Sequence, residues 1–171
     1  MTKVKSVLLV AFVVALLIRV FVVEGFIVRG DSMSPTILAG DYVFINKFAY
    51  VFGEPKRGDI VITKTRHQPA KVIKRIVVMP GERFNVEDGQ VFVREGRLSE
   101  GVALEESYLE GDVEWELGIT DRELDPQEYF ALGDNAPVSI DSRELGFVDK
   151  WDIKGRAFGV FRLKGFKYIG L

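Results

Sequence analysis

Residues 6–23, SVLLVAFVVALLIRVFVV, form an apolar run broken only by Ser6 and Arg19. As a helix rising 1.5 Å per residue the run would extend about 27 Å, close to the thickness of a bilayer's hydrocarbon. It is apolar on every face, unlike a helix that covers a soluble core with one stripe. Lys3 and Lys5 precede it and Glu24 follows it. That asymmetry predicts a cytoplasmic N-terminus, with the rest of the chain on the extracytoplasmic side of the cell membrane after a single crossing. Arg19 lies near the far end, where its long stem can carry the guanidinium to the headgroups. A cleavable secretory leader shares the charged start and apolar middle, but needs a small-residue cut site, for which Val23-Glu24-Gly25 is a poor candidate. The expected division is therefore an anchor over 1–24 and a separate domain over 25–171.

From Phe26 onward the pattern changes to short β-branched and aromatic runs punctuated by Gly, Pro and Asp. Strands are expected over 26–29, 41–46, 59–63, 71–78, 83–86, 90–94, 128–132 and 156–163. This predicts a mainly β fold: an antiparallel sheet or barrel-like domain behind one N-terminal transmembrane helix. Turn signals stand at Ala39-Gly40-Asp41, Arg57-Gly58-Asp59, Met79-Pro80-Gly81 and Glu87-Asp88-Gly89. Gly89 suits the positive φ of a hairpin.

Charge is distributed unevenly around a formal net of −2. Residues 41–80 hold eight Lys/Arg against three Asp/Glu, whereas 81–128 hold four against fifteen. Nucleic acid is thereby disfavoured as the main partner. The acidic stretch from about 82 to 127 is expected to be an insertion with a solvated surface. There is no cysteine and one histidine, His67, whose neighbours Thr, Arg, Gln and Pro suit an exposed hairpin end. Thiol nucleophiles, disulfides and cysteine-rich metal sites are excluded. No cofactor is expected.

Four segments carry residues capable of chemistry. Gly30-Asp31-Ser32-Met33-Ser34-Pro35-Thr36 reads either as an ordinary turn or as a serine displayed on a tight turn whose N–H faces an oxyanion. In Lys71-Val72-Ile73-Lys74-Arg75-Ile76-Val77-Val78 a lysine alternates with Ile and Val. On the outer face Lys74 would be solvated; pointing inward it would lose its proton more easily and could activate a serine. The segment from Gly133 to Arg143 is either a polar loop with a surface ion pair or a structured loop whose hydroxyl orients the lysine. Arg57-Gly58-Asp59-Ile60-Val61 is read as a structural turn entering a strand.

Taken together, these motifs resemble those of bacterial type I signal peptidases, the serine/lysine leader peptidases. The likeness runs from Arg19-Val20-Phe21 at the anchor junction through Ser32-Met33-Ser34-Pro35-Thr36, Arg57-Gly58-Asp59-Ile60-Val61, Lys74-Arg75 with Met79-Pro80-Gly81, and Gly133 to Arg143. The resemblance implies Ser32 as nucleophile, Lys74 as general base, Ser139 as the serine that orients the lysine, and Asp141 with Arg143 as a structural ion pair. It also implies that Phe26, Val28, Met33 and Ile73 form the apolar wall accepting small side chains at the first and third positions before the cut. Its expected partners are signal peptides of exported preproteins and membrane lipid, with the enzyme a monomer. Two positions depart from the family pattern. Ala136-Pro137-Val138 replaces a polar trio after Asn135, and Gly30 stands where some members carry a serine that assists the oxyanion hole. A self-cleaving Ser-Lys peptidase and an anchored β domain that binds without catalysis are the alternatives; retention of both Ser32 and Lys74 favours an enzyme.

Overall fold

A computed structural model describes residues 2–17, 22–64, 71–87, 90–95, 102–103 and 121–171. Its first element is helix α1 (Thr2–Leu17), 16 residues long. Among the described residues no helix is long and apolar enough to cross a membrane. Residues 18–21, including Arg19, lie outside the described residues. The apolar run is not helical to its end, as the sequence reading expected, because Val23 opens a strand and pairs with Asn46. The β-branched Val22-Val23 pair favours that extended backbone.

The strands are β1 (Val23–Ile27), β2 (Tyr42–Asn46), β3 (Ile60–Thr63), β4 (Val72–Val78), β5 (Glu82–Glu87), β6 (Gln90–Glu95), β7 (Val102–Ala103), β8 (Arg122–Glu123), β9 (Glu128–Leu132), β10 (Val148–Asp149), β11 (Ile153–Arg162) and β12 (Lys167–Gly170). Among the described residues all pairings are antiparallel. The main sheet runs β1-β2-β11-β3-β4-β9-β10, with β12 also on β11. Each segment expected as a strand overlaps one, although β1 sits earlier than expected and leaves Val28 and Arg29 beyond its end. β7, β8, β10 and β12 were not anticipated; the first three, at two residues each, are too short to show a period.

Bulges bend this sheet. Register shifts fall between Ile153 and Gly155, between Ala157 and Gly159, and between Ile76 and Val78. Each extra residue kinks its strand and increases the local twist, so the sheet curls. Gly155 permits a close approach at one of these bulges, since a Cβ there would stand 2.6 Å from the Asn46 carbonyl oxygen. Within the curl lies a core of Met33, Ile37, Val43, Ile45, Ile60, Ile62, Ile73 and Val160.

A smaller sheet, ordered β7-β6-β5-β8, arises from the acidic stretch. Its Phe84, Val91 and Val93 pack on Val77, Val78, Phe130 and Leu132 of the main sheet. The Phe84 and Phe130 ring centroids are 4.9 Å apart. The hairpin turn at 88–89, His67 and residues 104–120 lie outside the described residues.

Candidate active site

Ser32 sits in a turn that follows β1 and is pinned at both ends. Gly30 takes φ +89°, a conformation that side chains disfavour. The Ser34 N–H donates to the Asp31 carbonyl, and the Ile37 N–H to the Met33 carbonyl. Met33 and Ile37 are buried in the curl's core, which anchors the turn while leaving Ser32 half-buried. At the far end Arg162 of β11 grips Asp41 and donates to the Thr36 carbonyl.

Lys74 enters from β4, opposite Val61 in register. It is 4% exposed, so the inward orientation is the one realised. Its Nζ lies 3.1 Å from Ser32 Oγ and 3.0 Å from Ser139 Oγ. Burial pushes the Lys74 ammonium below the usual lysine range; Asp141 and Asp134 oppose that shift, whereas Arg143 adds to it. The result is an amine disposed to accept a proton, with two hydroxyls in hydrogen-bond reach.

Ser139 belongs to the loop after β9, and the packing there requires a glycine. A Cβ on Gly133 would stand 2.2 Å from Ser139 Oγ and 2.4 Å from the Ser32 carbonyl oxygen. Only a bare Cα lets this loop lie against the Ser32 turn. Asp141 caps the short helix α2 (Ser142–Leu145), accepts the Gly133 N–H at 3.0 Å and receives Arg143 Nε at 2.8 Å. Arg143 also donates to the carbonyls of Ala136 and Ser139. The Ala136–Val138 segment forms one 3-10 turn. Its main-chain carbonyl at Ala136 is therefore used by Arg143, even though the side chains of this trio are apolar.

The sequence reading assigned no role to Arg75 or Asp134. Arg75 donates to Asp134 through Nε and through a terminal nitrogen at 2.8 and 2.6 Å, to the Gly58 carbonyl and to Thr36 Oγ1. Asp134 is fully buried. One guanidinium thus ties the strand of Lys74 to the Ser32 turn, to the Arg57-Gly58-Asp59 turn and to the last loop. Arg75 follows Lys74 and Asp134 follows Gly133, so adjacency to proposed site residues was the available signal. Val28, Met33 and Ile73 are buried in one cluster, and Phe26 packs against it.

Comparison with known proteins places this chain in a family. Residues 1–162 match the family described as "Signal peptidase, peptidase S26". This chain belongs to the signal peptidase family. Among its relatives, signal peptidase I P of Bacillus subtilis subsp. natto is 33% identical over 86% of this chain and 82% of its own length. Signal peptidase I of Bacillus licheniformis is 34% identical over 90% of this chain and 84% of its own. Probable signal peptidase I-2 of a Synechocystis species is 34% identical over 86% and 67%. A crystal structure of a signal peptidase I from Enterococcus faecalis, 28% identical, aligns with a TM-score of 0.48 over 61% of this chain and 97% of that one.

Proposed function

We propose that this family member is a membrane-bound serine endopeptidase that removes N-terminal signal peptides from exported preproteins, with Ser32 as nucleophile and Lys74 as general base. The observation that carries the reading is the placement of a buried Lys74 Nζ between Ser32 Oγ and Ser139 Oγ. Neutral Lys74 takes the Ser32 proton as Oγ attacks the scissile carbonyl, and the resulting ammonium returns that proton to the leaving amine. An acyl-enzyme forms. Lys74 then takes a proton from water, which attacks the ester, and returns it to Ser32 Oγ as the acyl product leaves. Ser139 holds the amine in line, and Asp141 with Arg143 holds the loop that carries Ser139.

An extended substrate adds beside a strand edge through main-chain hydrogen bonds. Phe26, Val28, Met33 and Ile73 are proposed to form the wall that selects small side chains, and they lie together in one apolar cluster. The domain division into an anchor over 1–24 and a peptidase domain over 25–171, with its insertion at about 82–127, follows the same reading.

Membrane attachment is supported by α1, whose Val4, Val7, Leu8, Leu9, Val10 and Phe12 are all exposed. So many bare aliphatic side chains around one helix suit lipid rather than water. With Lys3 and Lys5 in the cytoplasm, the catalytic domain is proposed to lie on the extracytoplasmic face as a monomer. Cleavage of a model preprotein in detergent by wild type, Ser32→Ala and Lys74→Ala tests the chemistry. Protease accessibility in sealed vesicles tests the topology, and a domain protected from outside would overturn it.

A further inference from the structure

Gly30 carries no hydroxyl, so the backbone at Ser32 is the available donor beside the nucleophile, and the direction of its N–H becomes decisive. The Ser32 N–H donates to no protein group among the described residues. A trans peptide holds one residue's C=O and the next residue's N–H antiparallel in a single plane. Whatever fixes the Asp31 carbonyl therefore fixes the aim of the Ser32 N–H. That carbonyl accepts the Ser34 N–H at 3.0 Å from within the turn. It also accepts Asn135 Nδ2 at 3.1 Å, from 104 positions away. Asn135 in addition donates its own N–H to the Ser32 carbonyl at 3.0 Å. Both peptide planes flanking the Ser32 Cα are thus tied to one residue of the last loop.

We infer that Asn135 is a positioning residue for the proposed reaction: its side-chain amide holds the Asp31–Ser32 peptide so that the Ser32 N–H faces the scissile carbonyl oxygen. The inference rests on the reading of Ser32 as nucleophile. Asn135 touches no reacting atom. A rotation of this peptide would turn the Asp31 carbonyl, itself partially negative, toward the developing oxyanion, and an oxyanion donor is effective only when it is aimed beforehand. The neighbouring hydroxyl that some family members place at position 30 is absent here, so this chain depends more heavily on that aim.

The test compares wild type, Asn135→Ala, Asn135→Asp and Ser32→Ala, all as full-length chains cleaving a preprotein in detergent. Asn135→Ala removes the amide but keeps the main-chain bond to Ser32, whereas Asn135→Asp sets a carboxylate against the Asp31 carbonyl. The kcat of Asn135→Ala is expected to fall about ten-fold, since losing one oxyanion donor outright costs about 10²–10³ and here it is misaimed rather than deleted. Asn135→Asp should fall further. The KM, the melting temperature and the acid limb of the rate in Asn135→Ala should match wild type, because the Lys74 contacts are untouched. Wild-type kcat in both Asn135 variants would overturn the inference, as would a loss of kcat matched by a raised KM, a moved acid limb and a lower melting temperature. An inactive Ser32→Ala beside a fully active Asn135→Ala sinks the orienting role alone; a Ser32→Ala that still cleaves sinks the nucleophile assignment beneath it.

Discussion

Lys74 Nζ stands 3.1 Å from Ser32 Oγ, although 42 positions separate the two residues. With Ser139 Oγ on its other side the nitrogen is held at the end of a buried stem, where it exchanges a proton only with these partners or with water. Removing either Ser32 or Lys74 should therefore cost at least about a thousand-fold in kcat, and the double variant should lose little more, as for groups acting as one unit. Lys74→Arg should be equally inactive, because guanidinium does not release its proton. Preprotein cleavage measures each, and substantial activity in a single alanine variant would sink the assignment.

The pH profile should carry the mark of Lys74. Below its lowered pKa the amine is protonated and cannot act as base, so the rate falls on the acid side. Arg143 disfavours the ammonium through its own charge. Arg143→Gln should therefore raise the Lys74 pKa and move the acid limb to higher pH. A limb that stays in place would assign it to another group.

Burying Lys74 should also reduce stability. Its folded pKa lies below the unfolded value, so between the two the unfolded chain binds the proton that the folded chain releases, and stability rises with pH across that window. Lys74→Met removes this cost while keeping the stem's packing. A gain of about 1 kcal/mol would raise the melting temperature by roughly 2–4 °C. The gap from wild type should widen as pH falls from about 10 toward the folded pKa, then stay constant. Thermal denaturation across pH checks both points, and a gap that narrows on acidification would refute the sign.

Asp141 has no exposed side-chain surface, while its partner Arg143 is 11% exposed. Asp141→Ala strands that guanidinium and leaves the Gly133 N–H without its acceptor. A destabilisation of about 3–5 kcal/mol is expected. An unchanged melting temperature would show that the pair contributes little.

A second membrane contact is expected at the loop after β2. Phe52 is 94% exposed, and Val51 and Phe48 are exposed beside it. Tyr50, by contrast, packs against the core and donates its hydroxyl to Asp59. Of this apolar group, therefore, three side chains are free to enter an interface and one belongs to the fold. Replacing Val51 and Phe52 by serine should leave cleavage of a soluble peptide intact but reduce its stimulation by lipid vesicles. Equal stimulation of both proteins would remove the case for this contact.

The motif segments were legible because each is local. Gly30 to Thr36 shows its turn through residue type, and the alternation around Lys74 shows a strand through its period of two. The eight longer strands were legible for the same reason, as was the mainly β class. The two-residue β7, β8 and β10 were not, since they exist only where a neighbouring strand offers hydrogen bonds.

What only the tertiary structure decided is which of two readings each polar residue takes. Alternation along β4 leaves open which side Lys74 faces, and the answer lies in Val61 beside it and Ser139 from a loop 65 positions away. The contacts of Arg75 with Asp134, Gly58 and Thr36 likewise come from segments remote in sequence. Local residue type determined the turns and strands here because backbone sterics and hydrophobic period act over a few residues. Desolvation, ion pairing and the aim of a peptide N–H depend on what the curled sheet brings alongside, and no short stretch of chain contains that information.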